Sequence, residues 1–355
     1  MIGYGNSVFL RTAWEVSGGV SPVNTVAPAI TGTAQEGQTV TCSTGTWTGT
    51  PTITFAYQWK RNGSNIGSAT NSTYTLVTAD VSQSITCQVT ATNGSGSASA
   101  TSNTITPTAA VDPDAQAFIT AAAITNPTQQ AAINTLVVDL KGYSIWTKMK
   151  ALYPFVGSSS SSNSYNLKNT AQYQLSFSGG GTWNSNGYTG GVNGYANTGL
   201  NPNTAFSTNN SMHLSLYSRT NNSGGFGDFG ILNASALTIL NVSFSGNAST
   251  LIHGGTGVLT ANTNSTGFYV GTRTSASVLK LFKNNTQLGS TYTGANGARG
   301  DLNMFLGALN VTGTAQYYTQ RNYAFASIGD GLTDTEAANF YTAVQAFQTT
   351  LGRQV

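Results

Sequence analysis

The stretch FAYQWKRNG, residues 55–63, shows the pattern that most constrains this chain. Phe55, Tyr57 and Trp59 alternate with other residues and so share one face of an extended strand, and Asn62-Gly63 then supplies a tight turn. The same arrangement, a few alternating residues closed by Gly, Asn or Pro, recurs along most of the 355 residues. Runs this short with a period of two suit strands and not helices, so a mainly β fold of two or three domains is expected.

Composition agrees. Charged residues make up 7% of the chain, against roughly 25% in an average soluble protein. Solubility therefore falls to Ser, Thr, Asn and Gly, which also favour strands and turns. The formal charge of +3 and the pI of 8.8 reflect scarcity of charge and not a basic surface. Basic residues stand singly apart from Lys60-Arg61 and Lys148/Lys150. No stripe of them can neutralise a phosphate backbone, so nucleic acid is not an expected partner. No apolar run approaches the roughly 20 residues that span a bilayer, so a membrane is not expected either. The start, MIGYGNSVFLRTAWEV, has neither a basic n-region nor a long apolar h-region, and reads as no signal peptide. That argues against a secreted bacterial adhesin and for a protein made and assembled in a cytoplasm.

Residues 1–21 match no packed element. They read either as a frayed end or as an anchoring arm whose Phe9 and Trp14 dock on another subunit. Residues 22–110 carry six or seven short strands. Within them Cys42, Trp59 and Cys87 follow the order in which an immunoglobulin domain places a Trp against an inter-sheet cysteine pair. AYQWKRNGSNIG and SITCQVTATNGSGSASA resemble the immunoglobulin-like modules of bacterial surface proteins and phage structural proteins. Ile85 stands where many members carry the corner tyrosine. Cys42 and Cys87 are expected to pack together, as thiols or as a disulfide; two ligands alone do not make a metal site.

Residues 111–155 read as a helical connector. Asp112-Pro113 and Asn126-Pro127 are helix starts, Gly142 is a stop, and Ile145, Trp146, Met149 and Leu152 suggest a third short helix ended by Pro154. Its apolar stripes suit packing on the next domain, or alternatively an inter-chain bundle. Residues 156–355 begin with the loop SSSSSN and continue as about ten alternating strands. SVLKLFKNNTQLGS reads as a hairpin turning at Asn284-Asn285. A final helix is capped by Thr333 and Glu336, with Ala337, Phe340, Tyr341, Val344, Phe347 and Leu351 on one face.

The connector, the segments NGYANTGLNPNT and SLYSRTN, and the tail GDGLTDTEAANFYTAVQAFQTTLGRQV together look like a recurrent module of phage structural proteins with a concanavalin- or laminin-G-like fold. The resemblance covers residues 112–355 and brings no catalytic motif with it. It implies a jelly-roll sandwich on the surface of a virion, as capsid decoration, head fibre or tail fibre.

The chain offers little for catalysis. Between residues 156 and 332 the acids are Asp228, Asp301 and Asp330, each beside a glycine and each suited to a turn. Glycoside hydrolysis commonly needs two carboxylates, and no acidic cluster on one strand is present. His213 and His253 are the sole histidines, and no nucleophile elbow accompanies the many serines. Calcium, which sandwiches of the resembled kind often hold, would fall to Asp228 or Asp301 with carbonyls and Asn side chains; otherwise no cofactor is expected. Sugar binding is the remaining signal, with an aromatic platform at Trp183 and Tyr188, Tyr195 close by, and Tyr317, Tyr318 and Tyr323 as a second group.

The expectation is therefore a non-enzymatic phage virion surface protein, displaying a lectin-like domain for weak attachment to glycans. Its partners would be other virion proteins, host glycans and copies of itself, a trimer being the favoured state. The alternatives are a tail-fibre adhesin with a defined glycan site and, with less support, a polysaccharide depolymerase.

Overall fold

A computed structural model describes residues 18–222, 225–233 and 236–355. The proposed anchor residues Phe9 and Trp14 lie outside them. The fold is mainly β and divides into two units, residues 1–110 and 111–355.

The first unit is a small sandwich. One sheet runs Ser64–Asn65, Thr54–Arg61, Ile85–Asn93, Gly96–Thr101, and the other Ile30–Thr31, Thr39–Cys42, Thr73–Thr75. Alternation fixes which side chains point inward: Ile85, Cys87, Val89 and Ala91 are buried while their neighbours are not. Trp59 stands opposite Cys87 across the strand pair, has no exposed surface, and stacks on Tyr74 at 5.4 Å. Cys42 and Cys87 are buried free thiols in the same core cluster as Trp59. Asp80, also buried, accepts hydrogen bonds from Arg61, Tyr74 and the Val77 amide at 2.8–2.9 Å. The unit begins before residue 22, because Val20 O accepts from Thr50 N and from Asn93 Nδ2 while Val20 N donates to Thr50 Oγ1.

The second unit has three layers. Its helices are α1 (Pro113–Ala121), α2 (Pro127–Gly142), α3 (Ser160–Ser164), α4 (Pro202–Ala205) and α5 (Asp334–Thr350). The central sheet runs Gly181–Asn184, Gly187–Gly190, Asn322–Gly329, Met212–Ser218, Gly267–Ser275, Val278–Lys283, Thr286–Gln287. The outer sheet runs Ser176–Ser178, Tyr195–Asn197, Phe305–Leu306, Phe229–Leu232, Thr238–Phe244, Asn247–Ile252, Val258–Ala261. Leu214, Leu216, Tyr269, Leu279, Leu281 and Ile328 of the central sheet face Phe229, Leu240 and Val242 of the outer one. The alternate residues Tyr217, Phe268, Val270, Phe282 and Phe325 pack under α1, α2 and α5. Both faces of the central sheet are thus covered, and every residue of Met212–Ser218 is buried.

Three expectations are corrected. Residues 111–155 are not a separate connector, since their helices share one core with the sheet and with α5. The third helix shrinks to the turn Trp146–Lys148, and Met149–Tyr153 is a strand paired antiparallel with Asn322–Gly329. The serine run is not a loop throughout, because Ser159 and Ser162 cap α3 reciprocally.

Two buried cations tie the unit together. Arg321 donates to Asp228 at 2.8 Å, to Ser265 at 3.0 Å and to the carbonyls of Asn222 and Ser243, and Asp228 also accepts from Tyr323 and the Val242 amide at 2.9 Å. Arg353 donates to the carbonyls of Pro154, Phe155 and Ala324 and to Gln348 Oε1.

Candidate carbohydrate site

The aromatic residues singled out in the sequence separate into different environments. Tyr188 has no exposed surface and packs in the sandwich core against Phe155, Phe177 and Trp183. It is a core residue and not a platform: its strand, Gly187–Gly190, pairs with Asn322–Gly329, so its ring faces inward. Trp183 lies on it at 5.6 Å with one face committed, and its indole N–H is buried without a partner. Tyr317, Tyr318 and Tyr323 do not cluster. Tyr317 is exposed against Phe226, Tyr323 is buried on Asp228, and Tyr318 lies 6.3 Å from Tyr195.

Tyr195 lines no cleft itself but packs on a residue that does, Phe305. It sits half-buried on the outer sheet, 4.7 Å from the Phe305 ring, where Tyr195–Asn197 pairs with Phe305–Leu306. Beside Phe305 opens a cleft of about 330 Å³ lined by Asn197, Asn201, Asp301, Asn303, Asn310 and Gly313. Short local bonds shape it. Asn197 Oδ1 accepts from Gly199 N, Asn310 Nδ2 donates to Asn303 O, and Asn310 Oδ1 accepts from Gly313 N, all at 2.8–2.9 Å. Asp301 Oδ1 accepts from Asn201 Nδ2 at 3.1 Å. That leaves the Asn303 side chain, Asn197 Nδ2 and one oxygen of Asp301 without a protein partner among the described residues. Unpaired amides and a carboxylate above the largely buried Phe305 ring offer hydrogen-bond partners to a polyhydroxylated ligand.

The bond between Asn201 and Asp301, with that of Asn203 N to Gly300 O at 3.1 Å, ties the start of α4 to residues 300–301. A second cleft of about 430 Å³, drawing on the same two segments, is lined by Asn203, Ser207, Thr208, Asn209, Ala298 and Arg299. Sequence reasoning missed Phe305, Asn303 and Arg299. A signal was present, since TGANGARGDLN puts one Arg and one Asp into a stretch otherwise bare of charge.

The acids and histidines are committed elsewhere. Both oxygens of Asp228 are taken by the bonds to Arg321, Tyr323 and Val242, so it has none to offer calcium. Burial pushes its carboxyl up, against the pull of the Arg321 charge. Asp330 lies 3.7 Å from Lys150. No group of three or more His, Cys, Asp or Glu comes together among the described residues. His213 is fully buried: Nδ1 bonds the Asp330 carbonyl at 2.7 Å and Nε2 meets Ser327 Oγ at 2.9 Å. A carbonyl can only accept, so Nδ1 carries the proton and Ser327 donates to Nε2. The partner of this Ser–His pair is a backbone carbonyl and not a carboxylate, and burial lowers the His213 pKa to about 4. His253 is likewise held at about 4 by burial and by the charges of Arg273 and Arg299.

No known family model matches this chain. No curated protein matches it either. Among solved structures it is similar to a mutant of HCR/D, at 12% identity over 56% of this chain and 53% of that one, with a TM-score of 0.39. It is also similar to domain 4 of AbnA, an extracellular arabinanase of Geobacillus stearothermophilus solved with arabinotriose, at 15% over 54% and 98%, TM-score 0.35. A third is Trypanosoma rangeli sialidase with the inhibitor DANA, at 9% over 88% and 62%, TM-score 0.40. The match takes in about half of the HCR/D chain. Likenesses at these scores carry no functional inference.

Proposed function

We propose that residues 111–355 form a carbohydrate-binding sandwich that works by adhesion and not by catalysis. The observation that carries this is the cleft over the largely buried Phe305, where Asn197, Asn303 and Asp301 present unpaired polar atoms. Sugar hydroxyls hydrogen-bond to such groups. Asp301 is the only carboxylate lining the cleft, whereas glycoside hydrolysis commonly uses two. Placement on a phage particle, as capsid decoration, head fibre or tail fibre, rests on the resemblance of residues 112–355 alone. On a particle, repeated copies would turn a shallow, weak site into useful avidity.

The test is a glycan array on the intact protein, followed by titration of the best ligand. Asn303→Ala and Asp301→Asn are each expected to weaken binding about tenfold, the loss of one to two hydrogen bonds, with no release of reducing sugar. Binding unchanged in both variants would remove the cleft from the reading, and reducing-sugar release by the intact protein would overturn the adhesive one.

A further inference from the structure

The second cleft differs from the first in charge. Arg299 is half-buried on its wall, and no carboxylate lies within 4 Å of it among the described residues. The other lining groups are uncharged: Asn203, Ser207, Thr208, Asn209 and Ala298. The ground behind the loop is positive as well. Arg273, fully buried, donates to the carbonyls of Ile252, Ser275 and Ala276, while its Nη2 has no partner and no acid opposes it. Next to it, at residue 253, a buried histidine feels the charges of both arginines and leaves Nε2 unpartnered. Two guanidinium charges thus act on one region with no acidic counter-charge at either.

The loop that carries Arg299 is held in place. Gly297 N donates to His253 O, Asn209 Nδ2 donates to Gly297 O at 2.9 Å, and Asn296 Nδ2 donates to Asn209 O and to Asn210 Oδ1 at 3.1 and 2.6 Å. Gly300 O is fixed by Asn203 N at 3.1 Å. Arg299 therefore stands on a braced turn, two residues before Asp301 of the first cleft. An unopposed guanidinium in a cleft of hydroxyls and amides is matched by a carboxylate, whose two oxygens meet its planar fork.

We infer that this second cleft recognises the carboxylate of an acidic sugar, a uronic acid residue of the glycan whose neutral neighbour lies in the Phe305 cleft. The inference rests on the carbohydrate-binding reading and names the class of glycan. Arg299 would carry the selectivity, with Asn203 and Asn209 meeting hydroxyls of the same residue.

The experiment titrates the intact protein with a uronic acid oligosaccharide and with its carboxyl-reduced counterpart of the same length. The native protein should bind the acidic form about tenfold or more tightly, the contribution of a charge-assisted pair. Arg299→Gln should bring the two affinities within about twofold of each other, by weakening the acidic form far more than the reduced one. A thermal melt confirms that the variant is folded, as expected for a side chain that is not fully buried. Equal affinity for the two forms in the native protein, or an acidic preference that survives Arg299→Gln, overturns the inference and leaves the carbohydrate reading standing. Binding of neither form, together with an empty glycan array, overturns both.

Discussion

At the scale of single residues, the second unit depends on polar groups placed where water does not reach. Asp228 and Arg321 are both fully buried and paired. Removing one partner leaves the other charge uncompensated, which costs about 3–5 kcal/mol, whereas replacing both with apolar groups of similar volume can be neutral. Asp228→Leu is therefore expected to destabilise the unit by that amount in urea unfolding, and Asp228→Leu with Arg321→Met to recover most of it. Failure of the double variant to recover would mean that the carbonyl contacts of Arg321 matter more than its charge pair. His213 makes a second prediction. Its folded pKa is about 4, below the roughly 6.5 of an unfolded histidine. The unfolded chain thus takes up a proton between pH 6.5 and 4 that the folded chain refuses. Stability is unaffected above that window and falls as pH drops through it, by about 3 kcal/mol at pH 4 for this one group. Urea midpoints at pH 7, 5.5 and 4.5 should show the fall, and His213→Gln should reduce its slope. The burial of His213 was not legible in the sequence, because alternation along a strand gives period and not direction.

At the scale of elements, legibility followed the chemistry of element ends. Thr333 and Glu336 cap α5 reciprocally, as their spacing predicts, and Asn126 accepts from Gln129 N at the start of α2. Thr333→Ala is expected to lower stability by about 1 kcal/mol, read as a shift in the thermal midpoint; no shift would mean that α5 is held by its packing alone. The misread segment was Met149–Tyr153. Met149, Ala151, Leu152 and Tyr153 are all buried. A strand covered on both faces loses the alternation that identifies strands, so its apolar run imitates a helix. Tyr188 was misjudged for a related reason. Its Gly- and Asn-rich surroundings signal turns, yet the turn carries it into a strand of the central sheet, and only pairing with Tyr323 shows which way the ring points. The cleft itself draws on Asn197, Asp301 and Phe305, which stand more than a hundred residues apart between the first and the last. Only the closing of the outer sheet brings them together.

At the scale of the whole molecule, the boundary between the units falls at Ala110 and Val111, ahead of α1. The apolar faces of α1 and α2, with Phe118, Ile133, Leu136 and Val137 buried, belong to the same core as Phe268, Phe325 and Phe340. A fragment of residues 111–355 is expected to fold cooperatively by itself. One starting at residue 156 would expose that face of the central sheet and lose the Met149–Tyr153 strand, and should aggregate or bind a hydrophobic dye. A well-folded, monomeric 156–355 fragment would contradict the three-layer account.

The clasp of Arg353 on Pro154, Phe155 and Ala324 sets a timetable for synthesis. The strand at the centre of the sheet, Asn322–Gly329, and the guanidinium that pins it leave the ribosome more than two hundred codons after α1. The immunoglobulin-like unit can close on the nascent polypeptide. The larger sandwich must wait more than two hundred codons for its central strand, and strands left unpaired that long are prone to aggregate.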